Sequence, residues 1–424
     1  MVQSGLWWLF LGAAPLVYWL LPGRWRMAAL GLSSVGLLAV YALGDLIWML
    51  GLAALVFAAF RDQGASGPGD AFQGRTGAGI GARIGARIWA RIWDFLRWLG
   101  RSPWPFVLVL GWFVWSKYLP AMARMFLGEG SFLDFALPLG ISFFSFKLLH
   151  YVIEMRRGNF PPHGGDDFAA WLFLAPIFTA GPIERFEHFL KAREITAFRW
   201  DFIIEGSMRI AMGLVKKFYV GAGVLVLLRW LTGGDLGDLL EGLETVSPAV
   251  VWGALFLTLA YVYLDFSAYS DIAIGSSRLF GLRIMENFNM PFLATSLQKF
   301  WQRWHMTLAN WCRTYIYMLM IGLTRNPYWA IVVTFFVMGL WHAASPHWMI
   351  WGIWHGLGLA TIIAWQRFAG KRRIGVFKTR IGAVAGWAMT LSYVALGGAF
   401  TAFHEREPVL ASVRIIARAF GINL

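Results

Sequence analysis

Cysteine is nearly absent. Cys312 is the only one in 424 residues, which excludes an intrachain disulfide and any thiolate metal cluster. Charge is scarce as well: Asp, Glu, Lys and Arg make up 14% of the chain, against about a quarter in soluble domains. That is too little to coat a globule of 47.8 kDa. A hydrophobic content of 58% excludes a disordered or collagen-like chain and a small disulfide scaffold. Short catalytic signatures are missing too. There is no GxSxG elbow, no HExxH, and no Walker or GxGxxG phosphate loop. What the chain has is long apolar runs, 25 Trp and 35 Phe. Aromatic rings collect at bilayer interfaces and in buried bundles, so the composition describes an all-α, polytopic membrane protein. The net charge is +14, from 37 basic and 23 acidic residues. In such a chain this excess marks cytoplasmic loops rather than a nucleic-acid surface.

A helical span needs about 20 mostly apolar residues. Candidate spans are Leu6–Leu21, Met27–Leu43, Ile47–Phe60, Phe106–Leu119, Phe135–Ile153, Ile210–Trp230, Val250–Ile274, Trp329–Trp341, Trp348–Trp365 and Val384–Phe400. The first is expected to be a retained span rather than a signal peptide, because no basic start or small-residue cleavage pattern accompanies it. Gly44-Asp45 is expected to turn between the second and third. Residues 61–101 read as a cytoplasmic loop, Gly-rich at first, followed by a basic amphipathic helix. Arg83, Arg87 and Arg91 recur at helical spacing beside Ile84, Ile88 and Ile92. That pattern suits a helix on an anionic membrane face or, equally, a solvated helix whose arginines fix topology.

Two segments break the alternation of spans. Phe168–Ile183 is apolar but carries Pro176, Gly181 and Pro182 between basic flanks, which predicts a re-entrant hairpin. Glu286 to Arg325 interleaves charge with aromatics and predicts amphipathic helices folded into the cytoplasmic side of the bundle. The tail from Glu405 predicts a short amphipathic helix.

Polar groups at membrane depth are costly, so they are functional candidates. His342 ends a strongly apolar run and suits a neutral general base. A histidine satisfied by a neighbouring helix is the plainer alternative. His355 reads as a packing or supporting residue. His342, His347 and His355 lack metal-ligand spacing, so no metal site is expected. Asp265 and Asp271 lie six residues apart and do not stack on one helix face. They are expected to cap helices or pair with Arg278 or Arg283. Asn287 and Asn289, beside Pro291, read as turn chemistry.

Five segments carry a resemblance. They are PLGISFFSFKLLHYVIEMRRG (Pro138–Gly158), FTAGPIERFEHF (Phe178–Phe189), YLDFSAYSDIAIGSSRLFGLRIMENFNMPF (Tyr263–Phe292), FWQRWHMTLANWCRTYIY (Phe300–Tyr317) and GLWHAASPHWMIWGIWHG (Gly339–Gly356). In content and order the chain resembles the membrane-bound O-acyltransferases, in the bacterial branch that holds alginate O-acetyltransferase and the teichoic-acid D-alanyl transferase. The resemblance implies one domain over residues 1–424, a bundle of about ten or eleven spans around a tunnel, with the motif-bearing core at 138–356. It implies a bacterial inner-membrane location and no bound cofactor. Acetyl-coenzyme A or an acyl carrier protein would be the co-substrate, and an extracytoplasmic acyltransferase the partner. A cell-surface polymer would be the acceptor.

The resemblance places the family's main histidine at His342 and its second at His305. Trp301, Arg303 and Trp304 would then receive the thioester arm, and His305 would orient that arm or stabilise the oxyanion. Ala343 stands where the family has glycine. A missing PLGG-containing arm, WHMTL and a compact length lean toward the D-alanyl type, while the Arg-, Ala- and Gly-rich composition suits a bacterium in which polysaccharide acetylation is common, so acetyl and D-alanyl both stay open. A polytopic transporter, with His342 and Asp265 as a proton relay, is the alternative function.

Overall fold

A computed structural model describes residues 3–60, 91–92, 94–127, 136–194, 197–234, 236–372, 379–403 and 407–424. Most of the basic stripe, including Arg83 and Arg87, lies outside the described residues, as do Asp235, Arg373 and Glu405. The protein is all-helical, with 80% helix, and no strand occurs among the described residues. Among the described residues, six helices are long and apolar enough to cross a membrane, and Gly5–Leu20 and Pro327–His342 are shorter apolar helices. The chain is a multi-pass membrane protein.

The helices divide into two compact units. The first comprises Met1–Phe202 and Ser277–Ile284. It opens with α1 (Gly5–Leu20), capped by the Ser4 hydroxyl, which accepts from the Trp7 amide. Next comes α2 (Gly23–Phe60), in which Ala42 leaves helical geometry. The break between the second and third expected spans therefore falls two residues before Gly44-Asp45. Asp45 instead accepts a hydrogen bond from the Leu139 amide at 3.1 Å. Helices α3 (Trp104–Leu127), α4 (Ile141–Arg157), α5 (Gly165–Leu172) and α6 (Phe186–Ala192) follow.

The expected re-entrant segment is α5 followed by irregular backbone, and Ala170 to Phe178 is almost entirely buried. Non-helical backbone at membrane depth needs such protein cover. Lys147 on α4 supplies part of the compensation. Its buried ammonium donates to the Trp171 and Leu172 carbonyls, at 3.0 and 3.4 Å, which lie at the end of α5 where carbonyls lack helical partners. The return segment 277–284 packs on α1: Trp19 Nε1 donates to the Leu279 carbonyl at 2.9 Å, and Phe280 meets Tyr18 edge-on at 5.5 Å.

The second unit comprises Ile203–Ser276 and Met285–Leu424. Helix α7 (Trp200–Val215) continues through a π-helical turn, Lys216–Gly221, into α8 (Ala222–Thr232). This span begins ten residues earlier than the sequence predicts, and Lys216 and Lys217 lie deep inside it. They are paired with carboxylates on α9 (Pro248–Arg278). Lys216 Nζ donates to Asp271 at 2.5 Å, Arg209 donates to the other Asp271 oxygen at 2.6 Å, and Lys217 pairs with Asp265. The two aspartates thus pair with the α7 side rather than with Arg278 or Arg283. Close approach lets these side chains meet, since a Cβ on Gly213 would lie 2.7 Å from the Ala268 carbonyl.

The predicted amphipathic region contains α10 (Leu297–Trp301), α11 (Met306–Cys312), a π-helical turn at Arg313–Tyr317 and α12 (Met318–Thr324). Beyond it lie α13 (Pro327–His342), α14 (Pro346–Lys371), α15 (Arg380–Ala402) and α16 (Val409–Ala419). Asn326 caps α13 by accepting from the Tyr328 and Trp329 amides, and Pro327 opens the helix. Helices α13 and α14 touch backbone to backbone. A Cβ on Gly339 would lie 2.1 Å from the Trp348 carbonyl oxygen, and one on Gly352 would lie 2.3 Å from that of Phe335.

Candidate functional site

The second unit encloses a cavity of about 150 Å³, lined by α9, α10, α11, α13, α14 and α15. His342 reaches it from the last residue of α13, His305 from just before α11, and His355 from the third turn of the facing α14. Trp301 and Trp304 line it as well. The structure therefore brings together four of the five residues singled out by the resemblance. Arg303 is not among the lining; its guanidinium donates to the Met290 carbonyl at 3.4 Å. No Asp, Glu, Lys or Arg lines this cavity.

The histidines stand in an aromatic cage. The His342 ring stacks on Trp348 at 4.2 Å and 14°, with Trp351 edge-on at 5.6 Å. A tryptophan face attracts a cation, and a helix C-terminus favours positive charge. His355 packs against Trp351 at 4.8 Å and Trp301 at 5.2 Å. His355 Nδ1 and Trp301 Nε1 are buried polar atoms with no hydrogen-bond partner. Buried polar atoms are normally paired, so these two add unused hydrogen-bonding capacity to a mainly apolar lining. Sequence reasoning gave His355 only a supporting place; its position on the cavity wall depends on the antiparallel α13–α14 contact.

His305 is buried, and its Nδ1 lies 2.9 Å from Asn287 Oδ1. Burial pushes its imidazole down to about 3, so the ring is neutral at ordinary pH. Asn287 also lines a second, polar cavity of about 370 Å³ in the same unit, with Arg209, Lys216, Asp271 and Glu286. The Asn287–His305 pair thus links the walls of two cavities, one charged and one apolar. Among the described residues, no group of three His, Cys, Asp or Glu is placed to hold a metal ion.

A polytopic helical bundle with a histidine-bearing cavity free of charged side chains defines a class of membrane protein. The comparisons make this specific. Residues 107–400 match the membrane-bound O-acyltransferase family, and the chain belongs to it. It is 36% identical over 266 residues to a protein named probable alginate O-acetylase AlgI from Pseudomonas aeruginosa, covering 62% of this chain and 48% of that one. A teichoic acid D-alanyltransferase from Streptococcus thermophilus is 31% identical over 57% of this chain and 59% of its own length. A peptidoglycan O-acetyltransferase from Helicobacter pylori is 24% identical over 75% and 64% respectively. The chain spans about half the length of the alginate relative. Relatives named for acetyl and for D-alanyl transfer are both present, with a higher identity to the alginate O-acetylase than to the D-alanyltransferase, opposite to the lean drawn from the missing arm.

Proposed function

We propose that this chain transfers a short acyl group, acetyl or D-alanyl, from a cytoplasmic thioester across the bacterial inner membrane to a hydroxyl of a cell-surface polymer or partner protein. The carrying observation is the convergence of His342 and His305, from separate family motifs, on one cavity without charged side chains. The names of the relatives support a polymer acceptor.

The steps follow from the groups present. The thioester arm of coenzyme A or an acyl carrier protein enters between Trp301 and Trp304, with Arg303 outside the cavity to meet an acidic carrier. His342 takes the proton of the incoming hydroxyl as its oxygen attacks the thioester carbonyl. The tetrahedral centre collapses, the C–S bond breaks, and the leaving sulfur regains the proton from His342. An ester and a free thiol result. His305 orients the arm. An extracytoplasmic acyltransferase partner would complete delivery where the acceptor is a polymer.

Inverted vesicles of the host membrane test the reading. They are given radiolabelled acetyl-coenzyme A or, separately, radiolabelled D-alanyl carrier protein. Label from one donor is expected in lumenal, acid-precipitable material. No incorporation from either donor, with the protein present and folded, would sink the proposal.

A further inference from the structure

Asn287 is completely buried, and its amide is fixed on both sides. Its Oδ1 accepts from the Thr307 hydroxyl at 2.9 Å, and its Nδ2 donates to Ser270 Oγ at 3.3 Å. Its backbone carbonyl accepts from the Met306 amide at 2.9 Å, which ties the same residue to the chain on the far side of His305. The amide oxygen therefore faces His305, and with an acceptor opposite it Nδ1 carries the ring proton. His305 itself has φ 41°, a left-handed conformation. This costs a residue with a side chain about 1–2 kcal/mol. Such strain persists only where surrounding contacts over-determine it, and it clusters at functional sites.

We propose that Asn287 is a positioning residue of the transfer site: it locks His305 as the Nδ1–H tautomer, so that Nε2 meets the cavity as an acceptor for an N–H of the donor's thioester arm. The inference rests on the acyl-transfer reading and deepens it. It also chooses between the two roles that the resemblance gives His305, because a bare Nε2 accepts a hydrogen bond and cannot donate one to an oxyanion. The ionisable neighbours fall on two sides. His342 and His355 share the cavity with His305, while Arg209, Lys216, Asp271 and Glu286 line the polar cavity with Asn287. Phe266 and Trp341 pack edge-on against the His305 ring, at 4.8 and 6.4 Å, and bring no charge.

The test uses the same vesicles and both labelled donors, with folding checked by detergent gel filtration. Asn287→Ala is expected to lower kcat/KM for the donor about 10- to 100-fold, the scale seen when the partner that orients a functional imidazole is removed. Asn287→Asp keeps an acceptor opposite Nδ1 and is expected to recover about tenfold of that loss. Its carboxylate also favours the imidazolium. A protonated Nε2 no longer accepts, so the acid limb of the pH profile moves to higher pH. If Asn287→Ala matches wild type, the proposal is overturned. The same holds if both variants lose activity equally with an unshifted acid limb, which is what a purely structural turn residue would do. Should the alanine variant not fold, the pH profile of Asn287→Asp decides alone. If wild-type vesicles incorporate neither label, the acyl-transfer reading falls, and this inference with it.

Discussion

Alanine at His342 is expected to abolish acyl incorporation into the vesicle lumen while leaving the protein in the membrane. General base catalysis contributes about 10²–10⁴-fold, and the cavity holds no carboxylate or lysine to take over the proton. The side chain lies at the end of α13, so its loss removes one stacked ring from Trp348 without disturbing the helix's backbone contact with α14. Unaltered detergent gel filtration with activity down at least a hundredfold would bear the prediction out. Activity within threefold of wild type would mean that another group takes the proton, and the transporter alternative would then be tested by proton-coupled uptake.

Leucine at Gly352 is expected to cause a large loss of stability. A Cβ there would sit 2.3 Å from the Phe335 carbonyl oxygen and 3.0 Å from the Phe336 Cα. These are backbone atoms of α13, which cannot swing aside as a side chain tip does. The two helices must part, and the cost is about 3 kcal/mol or more. Thermal unfolding in detergent should fall by about 6 °C. Gly370→Leu, on the same helix with nothing within 4 Å of its Cβ, is the matched control and should melt as wild type. Equal melting of the two variants would show that the seam is looser than its geometry.

Much of this architecture is legible in the sequence, for a physical reason: a run of apolar residues long enough to cross a bilayer has few other uses. The ends and interiors of helices are less legible where a charge is satisfied far away. Lys216 and Lys217 obscure where their span starts, yet both lie well inside it, where Asp271 and Asp265, 55 and 48 residues on, receive them. The same distance hid the true partners of those aspartates. At the candidate site, His342 stands out by ending an apolar run, but its pairing with His305 rests on the motifs, since nothing in spacing brings residues 37 apart to one cavity. Asn287 looked like turn chemistry because its neighbours are Asn and Pro; its bond to His305 crosses 18 residues.

The ladder between α7 and α9 also bears on how the chain is made. Arg209, Lys216 and Lys217 meet their carboxylates only after 62, 55 and 48 further residues have been synthesised. At about 5–20 residues per second, that is a wait of roughly 3–12 s. Each unpaired cation at the centre of a span costs about 2.5–3.5 kcal/mol during insertion. A nascent chain stopped at residue 240 should therefore leave α7–α8 accessible to protease from both sides, and one stopped at residue 285 should protect it. Equal protection would show that lipid alone accepts the lone segment. On that expectation these helices enter the bilayer as a pair, and the order of synthesis becomes part of the fold.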